Sequence, residues 1–188
     1  MRMLLRPAVV VFLSILAYLI DACVMQYFSI SFATGSVSVA MISILTVSYG
    51  KKATFFSSMI IGILMEAMLS AVPAFYIVLY PTITLAVAQI FADMSERKRE
   101  QRERIQINKR KYDWPPFPRV VCCATSVSLL FNLANIVYGL ISGYGLASSQ
   151  FFRSILSITY TALVSIMLYI PVRGMLMIKK SEIYKWGE

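Results

Sequence analysis

Long apolar runs separated by short polar breaks dominate the sequence. A helix that crosses the hydrocarbon core of a bilayer needs about 20 predominantly apolar residues. The runs have about that length, apart from a shorter second one, and Gly, Pro and basic residues separate them. The pattern therefore predicts an all-α membrane protein with six transmembrane helices. We place these helices at about 8–28, 36–50, 53–72, 74–93, 120–141 and 152–171.

Composition and charge support a single membrane domain over residues 1–188. The chain is 59% hydrophobic with a mean hydropathy of +0.71, whereas soluble domains are about 45–50% apolar. Basic residues mark the cytoplasmic side of membrane proteins. With six spans, 17 of the 18 basic residues fall on one side and only Arg153 on the other. We therefore expect a multi-pass membrane protein with both termini in the cytoplasm.

Five polar residues interrupt the predicted spans near their outer ends. Asp21 and Glu66 each follow the start of their helix by 13 residues, so both lie roughly 20 Å into the core. Asn132 and Asn135 lie three residues apart on one helix face at a similar depth, and Arg153 begins the last span. Ionisable groups at membrane depth need partners. We expect these five residues either to form an internal network that orients the helices or to line an outward groove for a ligand or partner.

The one long polar segment is the predicted cytoplasmic loop 94–119. Nine of its residues are basic and four are acidic. Its charge indicates either topology fixing with attraction to anionic lipids or a docking site for a cytoplasmic partner, rather than nucleic-acid binding. The candidate residues are Arg97, Lys98, Arg99, Arg102, Arg104, Lys109, Arg110 and Lys111. The following run WPPFP over 114–118 is expected to stop any helix.

Catalysis is not indicated by the residues present. The chain has no histidine, the commonest general base and metal ligand, and no GxGD sequence of an intramembrane aspartyl protease. We therefore expect neither an enzyme nor a cofactor or metal site. Gly62, one turn before Glu66, is expected to allow another helix of the same chain to approach closely.

Two helices carry a resemblance to a known family. The run GILMEAMLS over 62–70 resembles the Gly-x-x-x-Asp third helix of MreD, the bacterial rod shape-determining membrane protein, with Glu66 where Asp is more usual. The run FRSILSITYTAL over 152–163 resembles the MreD closing helix. The length, the six predicted spans and the basic loop before the last helix pair agree with that family.

The resemblance implies a non-enzymatic scaffold of the cell-elongation machinery in a bacterial inner membrane. Such a protein binds an MreC-like membrane partner and supports cell shape and lateral peptidoglycan synthesis. RodA, a transpeptidase and MreB filaments would belong to the larger complex. The family fold is similar to that of the substrate-binding S components of energy-coupling-factor vitamin transporters. An S component is therefore the alternative, with the outer polar residues as its ligand site.

Overall fold

The computed structural model of the protein describes residues 2–25, 27–28, 34–68, 74–91, 115–141 and 148–184. These residues form helices and turns without a strand, which confirms the predicted all-α class. The described helices are α1 (Arg2–Cys23), α2 (Val37–Tyr49), α3 (Lys51–Met68), α4 (Phe75–Phe91), α5 (Pro116–Ile141) and α6 (Ser148–Tyr184). All six lie where the apolar runs predict helices, although several of their ends differ from the prediction.

α2 is the centre of the bundle. It contacts each of the other five described helices, and every residue from Val37 to Val47 is buried. With 13 residues it is about 20 Å long, which is shorter than the bilayer core of about 30 Å. A helix this short is compatible with a membrane interior because other helices, rather than lipid, surround it.

The other helices pack around α2 in the spatial order α1, α3, α4, α5 and α6. On one side of α2, Met41 and Leu45 pack with residues of α1 and α6 such as Leu13 and Tyr169. On the opposite side, Ile42 belongs to a second cluster with residues of α3, α4 and α5. α2 therefore joins two apolar clusters into one core.

The outward faces of the surrounding helices are apolar. Exposed large hydrophobic residues recur on α1, α3, α5 and α6, with Phe12, Phe56, Leu133 and Met167 as examples. Two apolar stretches, Pro116–Leu140 and Gln150–Val172, are long and apolar enough to cross a membrane by length and composition. The other helices do not reach that standard in the described residues, so six spans stay a prediction.

Hydroxyl groups replace apolar contacts at several helix crossings. Ser14 of α1 and Ser57 of α3 share a hydrogen bond of 2.7 Å between their Oγ atoms. The Thr54 hydroxyl of α3 donates to Thr46 Oγ1 of α2 at 2.9 Å. These side chains are small, so the helices can approach closely while their polar atoms stay paired.

Two glycines set the packing of α3. Gly50 alone separates α2 from α3 and has φ 79°, a left-handed conformation that glycine adopts without steric cost. The turn between α2 and α3 is therefore tight. At Gly62, an added Cβ would lie 2.9 Å from the Tyr76 carbonyl oxygen of α4. The predicted close approach of another helix at Gly62 is therefore confirmed, and that helix is α4.

Prolines disturb the helices less than the sequence suggests. α5 begins at Pro116, so the expectation that the 114–118 run excludes helix is wrong for its last residues. Proline is tolerated in the first turn because the N–H groups there have no intrahelical acceptor. α4 continues through Pro81 and α6 through Pro171. α6 consequently extends well beyond the predicted end at residue 171.

Candidate functional site

Asp21 lies near the end of α1 and binds the start of α2. Its Oδ1 accepts a hydrogen bond from the Val37 N–H at 2.6 Å, and its Oδ2 accepts from the Ser38 N–H at 2.8 Å. The Ser36 hydroxyl donates to the same Oδ2 at 3.1 Å. Both carboxylate oxygens are therefore engaged by the first residues of α2.

The position of α2 explains why a carboxylate is needed there. The first N–H groups of a helix have no intrahelical acceptor, and in α2 they lie inside the bundle. The helix dipole also favours a negative charge at this end. Ser36 adds a second cap, because its side chain accepts from the Val39 N–H. Together Asp21 and Ser36 satisfy the N–H groups of three buried residues at the start of α2.

Helix α6 also contacts the residues that directly precede α2. The Ser36 N–H donates to Thr161 Oγ1 at 3.1 Å, and the Ser157 hydroxyl donates to the Thr34 carbonyl at 3.0 Å. Gly35 lies against the Tyr160 ring, where an added Cβ would be 3.1 Å from a ring carbon. The start of α2 is thus fixed between α1 and α6.

Glu66 accepts hydrogen bonds from backbone N–H groups at the start of α4, as Asp21 does at the start of α2. Its Oε1 accepts from the Ala74 N–H at 2.7 Å and its Oε2 from the Tyr76 N–H at 3.0 Å. Ala74 has φ 66°, a left-handed conformation that costs a non-glycine residue roughly 1–2 kcal/mol. The two hydrogen bonds to a charged acceptor offset that strain.

The other three predicted polar residues come together elsewhere. Asn132 and Asn135 of α5 and Arg153 of α6 line an open cleft of about 230 Å³ between the two helices. Gln150 and Ser154 of α6 add two more polar side chains to its lining. We call this the α5–α6 cleft.

The structure therefore separates the five residues by role. Asp21 and Glu66 cap the starts of α2 and α4. Lining the α5–α6 cleft are Asn132, Asn135 and Arg153. An interaction of Arg153 with either carboxylate stays a prediction. The predicted basic residues of the cytoplasmic segment, from Arg97 to Lys111, lie outside the described residues.

Several contributing residues were missed by sequence reasoning. Ser36 could have been found, because Ser directly before an apolar helix is a frequent N-cap. Thr161, Gln150 and Ser154 carried no such signal, since their roles depend on which helices meet. Arg119, predicted only as part of the basic loop, donates to the Phe91 carbonyl at the end of α4 at 2.7 Å.

The side chains at these positions are hydrogen-bonding groups. Among the described residues, no group of three or more His, Cys, Asp and Glu side chains could hold a metal ion. The α5–α6 cleft instead offers amide groups, a hydroxyl group and a guanidinium. Such a set is suited to a polar or anionic ligand.

Comparison of the chain with protein-family models, curated proteins and solved structures gave no match. Fold and site define an all-α protein with two helices suited to crossing a membrane. Its central helix is capped by the Asp21 carboxylate of α1, and a polar cleft lies between its last two described helices.

Proposed function

We propose that the protein is a six-span inner-membrane scaffold that holds partner proteins together, in the manner of MreD with an MreC-like partner. Both termini and the 94–119 segment face the cytoplasm in this proposal. The distribution of basic residues in the sequence supports this orientation. The resemblance of residues 62–70 and 152–163 to MreD supports the family.

The observation that carries the proposal is the use made of the intramembrane carboxylates. Asp21 and Glu66 accept hydrogen bonds from backbone N–H groups of α2 and α4. Both carboxylates therefore stabilise the bundle, which supports a structural rather than a catalytic use of them. The outer helices expose an array of apolar side chains on the lateral surface of the bundle. A helical bundle with such an apolar surface is suited to binding the membrane helix of another protein.

An S component of a vitamin transporter is the second candidate, and the α5–α6 cleft favours it. Polar side chains from two helices converge there, as they would around a small molecule. Its volume of about 230 Å³ lies below the roughly 300–1,000 Å³ of typical small-molecule pockets. It is also open rather than closed over by the described residues. We therefore rank the scaffold first.

Affinity purification of the tagged chain from its native membrane in mild detergent, followed by mass spectrometry, tests the two candidates. We expect recovery of MreC-like, RodA-like or transpeptidase subunits. An unrelated multi-pass protein with the same tag and expression level serves as the control. Recovery of ATPase subunits with a coupling membrane protein would replace the scaffold by the S component.

A second arm tests the cytoplasmic basic segment. Changing the eight basic residues between 97 and 111 to Gln is expected to reduce recovery of cytoplasmic partners, because their docking surface loses its charge. The matched control changes Lys179 and Lys180 to Gln, which removes positive charge from the same predicted side of the membrane. Equal recovery from both variants would show that the segment does not recruit partners.

A further inference from the structure

Three buried hydroxyl groups near Asp21 have no hydrogen bonds of their own. Tyr18 of α1, Ser38 of α2 and Tyr80 of α4 are 5%, 0% and 6% exposed. The Ser38 Oγ has no hydrogen-bond partner among the described residues, and neither tyrosine hydroxyl has one there. Buried polar groups in folded proteins are rarely left unpaired, because they have lost their contacts with water. Three such groups in one place therefore indicate a bound species.

The three hydroxyl groups and Asp21 belong to one cluster. Tyr80 is close enough to Asp21 and to Tyr18 for electrostatic interaction. The Ser38 hydroxyl lies beside the Asp21 carboxylate, although not in the geometry of a hydrogen bond. We call Tyr18, Ser38 and Tyr80 the hydroxyl cluster. Because its members come from α1, α2 and α4, the cluster forms only when these helices have packed together.

Asp21 retains the capacity for one further contact. Its Oδ2 accepts two of the hydrogen bonds described above and its Oδ1 accepts one. A carboxylate offers about four acceptor sites on its two oxygens, so a free site remains on Oδ1. Asp21 is also half-buried, whereas the hydroxyl cluster is almost fully buried. A small species can therefore reach Asp21 from outside the bundle and contact the hydroxyl cluster behind it.

The donor atoms of this site select a small hard cation. A carboxylate and three hydroxyl groups are oxygen ligands, which hard cations prefer to nitrogen and sulfur. One negative charge balances a monovalent ion, whereas protein sites for Ca²⁺ commonly combine several carboxylates. Tyr80 is held in place by its stacking on Phe131, with ring centroids 4.2 Å apart. Its hydroxyl oxygen is therefore positioned before an ion binds.

We propose that Asp21 and the hydroxyl cluster bind a monovalent metal cation of the size of Na⁺. Asp21 Oδ1 supplies the negative charge, and the hydroxyl oxygens of Ser38 and Tyr80 are the nearest neutral ligands, with Tyr18 beside them. The bound ion joins α1, α2 and α4 at the start of α2, and so stabilises the centre of the bundle. This site is additional to the proposed scaffold function and does not depend on the identity of the protein partners.

The test is thermal unfolding of the purified full chain in neutral detergent, with NaCl titrated against choline chloride at constant ionic strength. Choline is too large for the cluster, so it controls for the effect of salt. We expect Na⁺ to raise the unfolding temperature saturably, by about 5 °C or more at a hundred times its dissociation constant. Equal unfolding temperatures in the two salts would overturn the proposal. Stronger protection by CaCl₂ at the same concentration would overturn the monovalent assignment.

Two variants locate the site. Tyr80→Phe keeps the ring that stacks on Phe131 and removes the hydroxyl group, so the fold is retained. It is expected to weaken the apparent affinity for Na⁺ roughly tenfold, because a contact to a charged species is lost. Asp21→Asn removes the negative charge and is expected to abolish the difference between NaCl and choline chloride. A purely structural role of these residues would lower stability equally in both salts, and that result would refute the site.

Matched controls make the same chemical changes outside the cluster. Tyr138→Phe removes a hydroxyl group from a ring of α5 that stacks on Phe75, and Glu66→Gln neutralises the carboxylate that caps α4. Both should keep the wild-type affinity for Na⁺, and equal weakening in the controls would contradict the assignment to Asp21 and Tyr80. Tyr80→Phe should still copurify the protein partners. A chain that recovers no elongation protein but responds to Na⁺ through Tyr80 would refute the scaffold and support the ion site.

Discussion

At the residue scale, Asp21 and Glu66 show how a carboxylate inside an apolar run can be structural. Each lies in the closing turns of one helix and binds the first N–H groups of a following helix. The charge is stabilised by these hydrogen bonds and by the helix dipole. A carboxylate inside an apolar run therefore indicates one of two structural roles: capping the start of a nearby helix, or an ion pair with a basic residue.

Asp21→Ala is predicted to destabilise the protein by about 3 kcal/mol, because two buried N–H groups lose their acceptor. Asp21→Asn should cost about half as much, since its amide oxygen still accepts a hydrogen bond. The free energy of unfolding, measured by denaturing titration in mixed micelles, checks both values.

Thr159→Ala is the matched control for Asp21. The Thr159 hydroxyl is exposed and bonds the Ile155 carbonyl of its own helix, so its removal should change stability by less than about 0.5 kcal/mol. If Asp21→Ala were no more destabilising than Thr159→Ala, the capping role of Asp21 would be refuted.

At the element scale, the α3–α4 pair depends on the absence of a side chain at Gly62. An added Cβ would lie only 2.9 Å from the α4 backbone, so even one methyl group forces the helices apart. Tyr80 of α4 in turn stacks on Phe131 of α5, with ring centroids 4.2 Å apart. A shift of α4 would therefore spread to the next helix.

Gly62→Ala is predicted to destabilise the protein by about 2 kcal/mol, since overpacking at a backbone contact is relieved only by moving a helix. Gly139→Ala serves as its control, because an added Cβ at Gly139 meets no atom within 4 Å. That variant should be neutral or slightly stabilised, as Ala favours helix over Gly. Similar unfolding free energies for the two variants would contradict the close α3–α4 crossing.

At the scale of the whole molecule, the proposed topology makes the two ends of the bundle chemically distinct. Thr34, beside the start of α2, should face the outside, whereas Lys52, at the start of α3, should face the cytoplasm. Both residues are exposed in the structure. This difference can be measured directly.

In a variant lacking Cys23, Cys122 and Cys123, a cysteine at Thr34 is predicted to react with a membrane-impermeant maleimide in intact spheroplasts. A cysteine at Lys52 should react only after permeabilisation, because the bilayer shields the cytoplasmic side. Mass-tag labelling followed by gel mobility reads out both. Labelling of both positions before permeabilisation would rule out the six-span orientation.

Much of the fold was predictable because it depends on local features of the sequence. Apolar runs of about 20 residues and the breakers between them located the helices, and the close approach at Gly62 followed from residue type. The helix ends at Pro116 and beyond Pro171 were mispredicted. Whether proline is tolerated in the first turn of a helix or inside a packed helix depends on the tertiary context, and not on helix propensity alone.

The sequence by itself determined the helix positions, the asymmetry of charge and the presence of polar residues near one end of the apolar runs. Only the tertiary structure decided that α2 lies at the centre, that Asp21 and Glu66 cap α2 and α4, and that Asn132, Asn135 and Arg153 share a cleft. The reason is physical: in an apolar helix, a face against lipid and a face against another helix have similar composition. Which faces meet is therefore set by long-range packing, which no local pattern encodes.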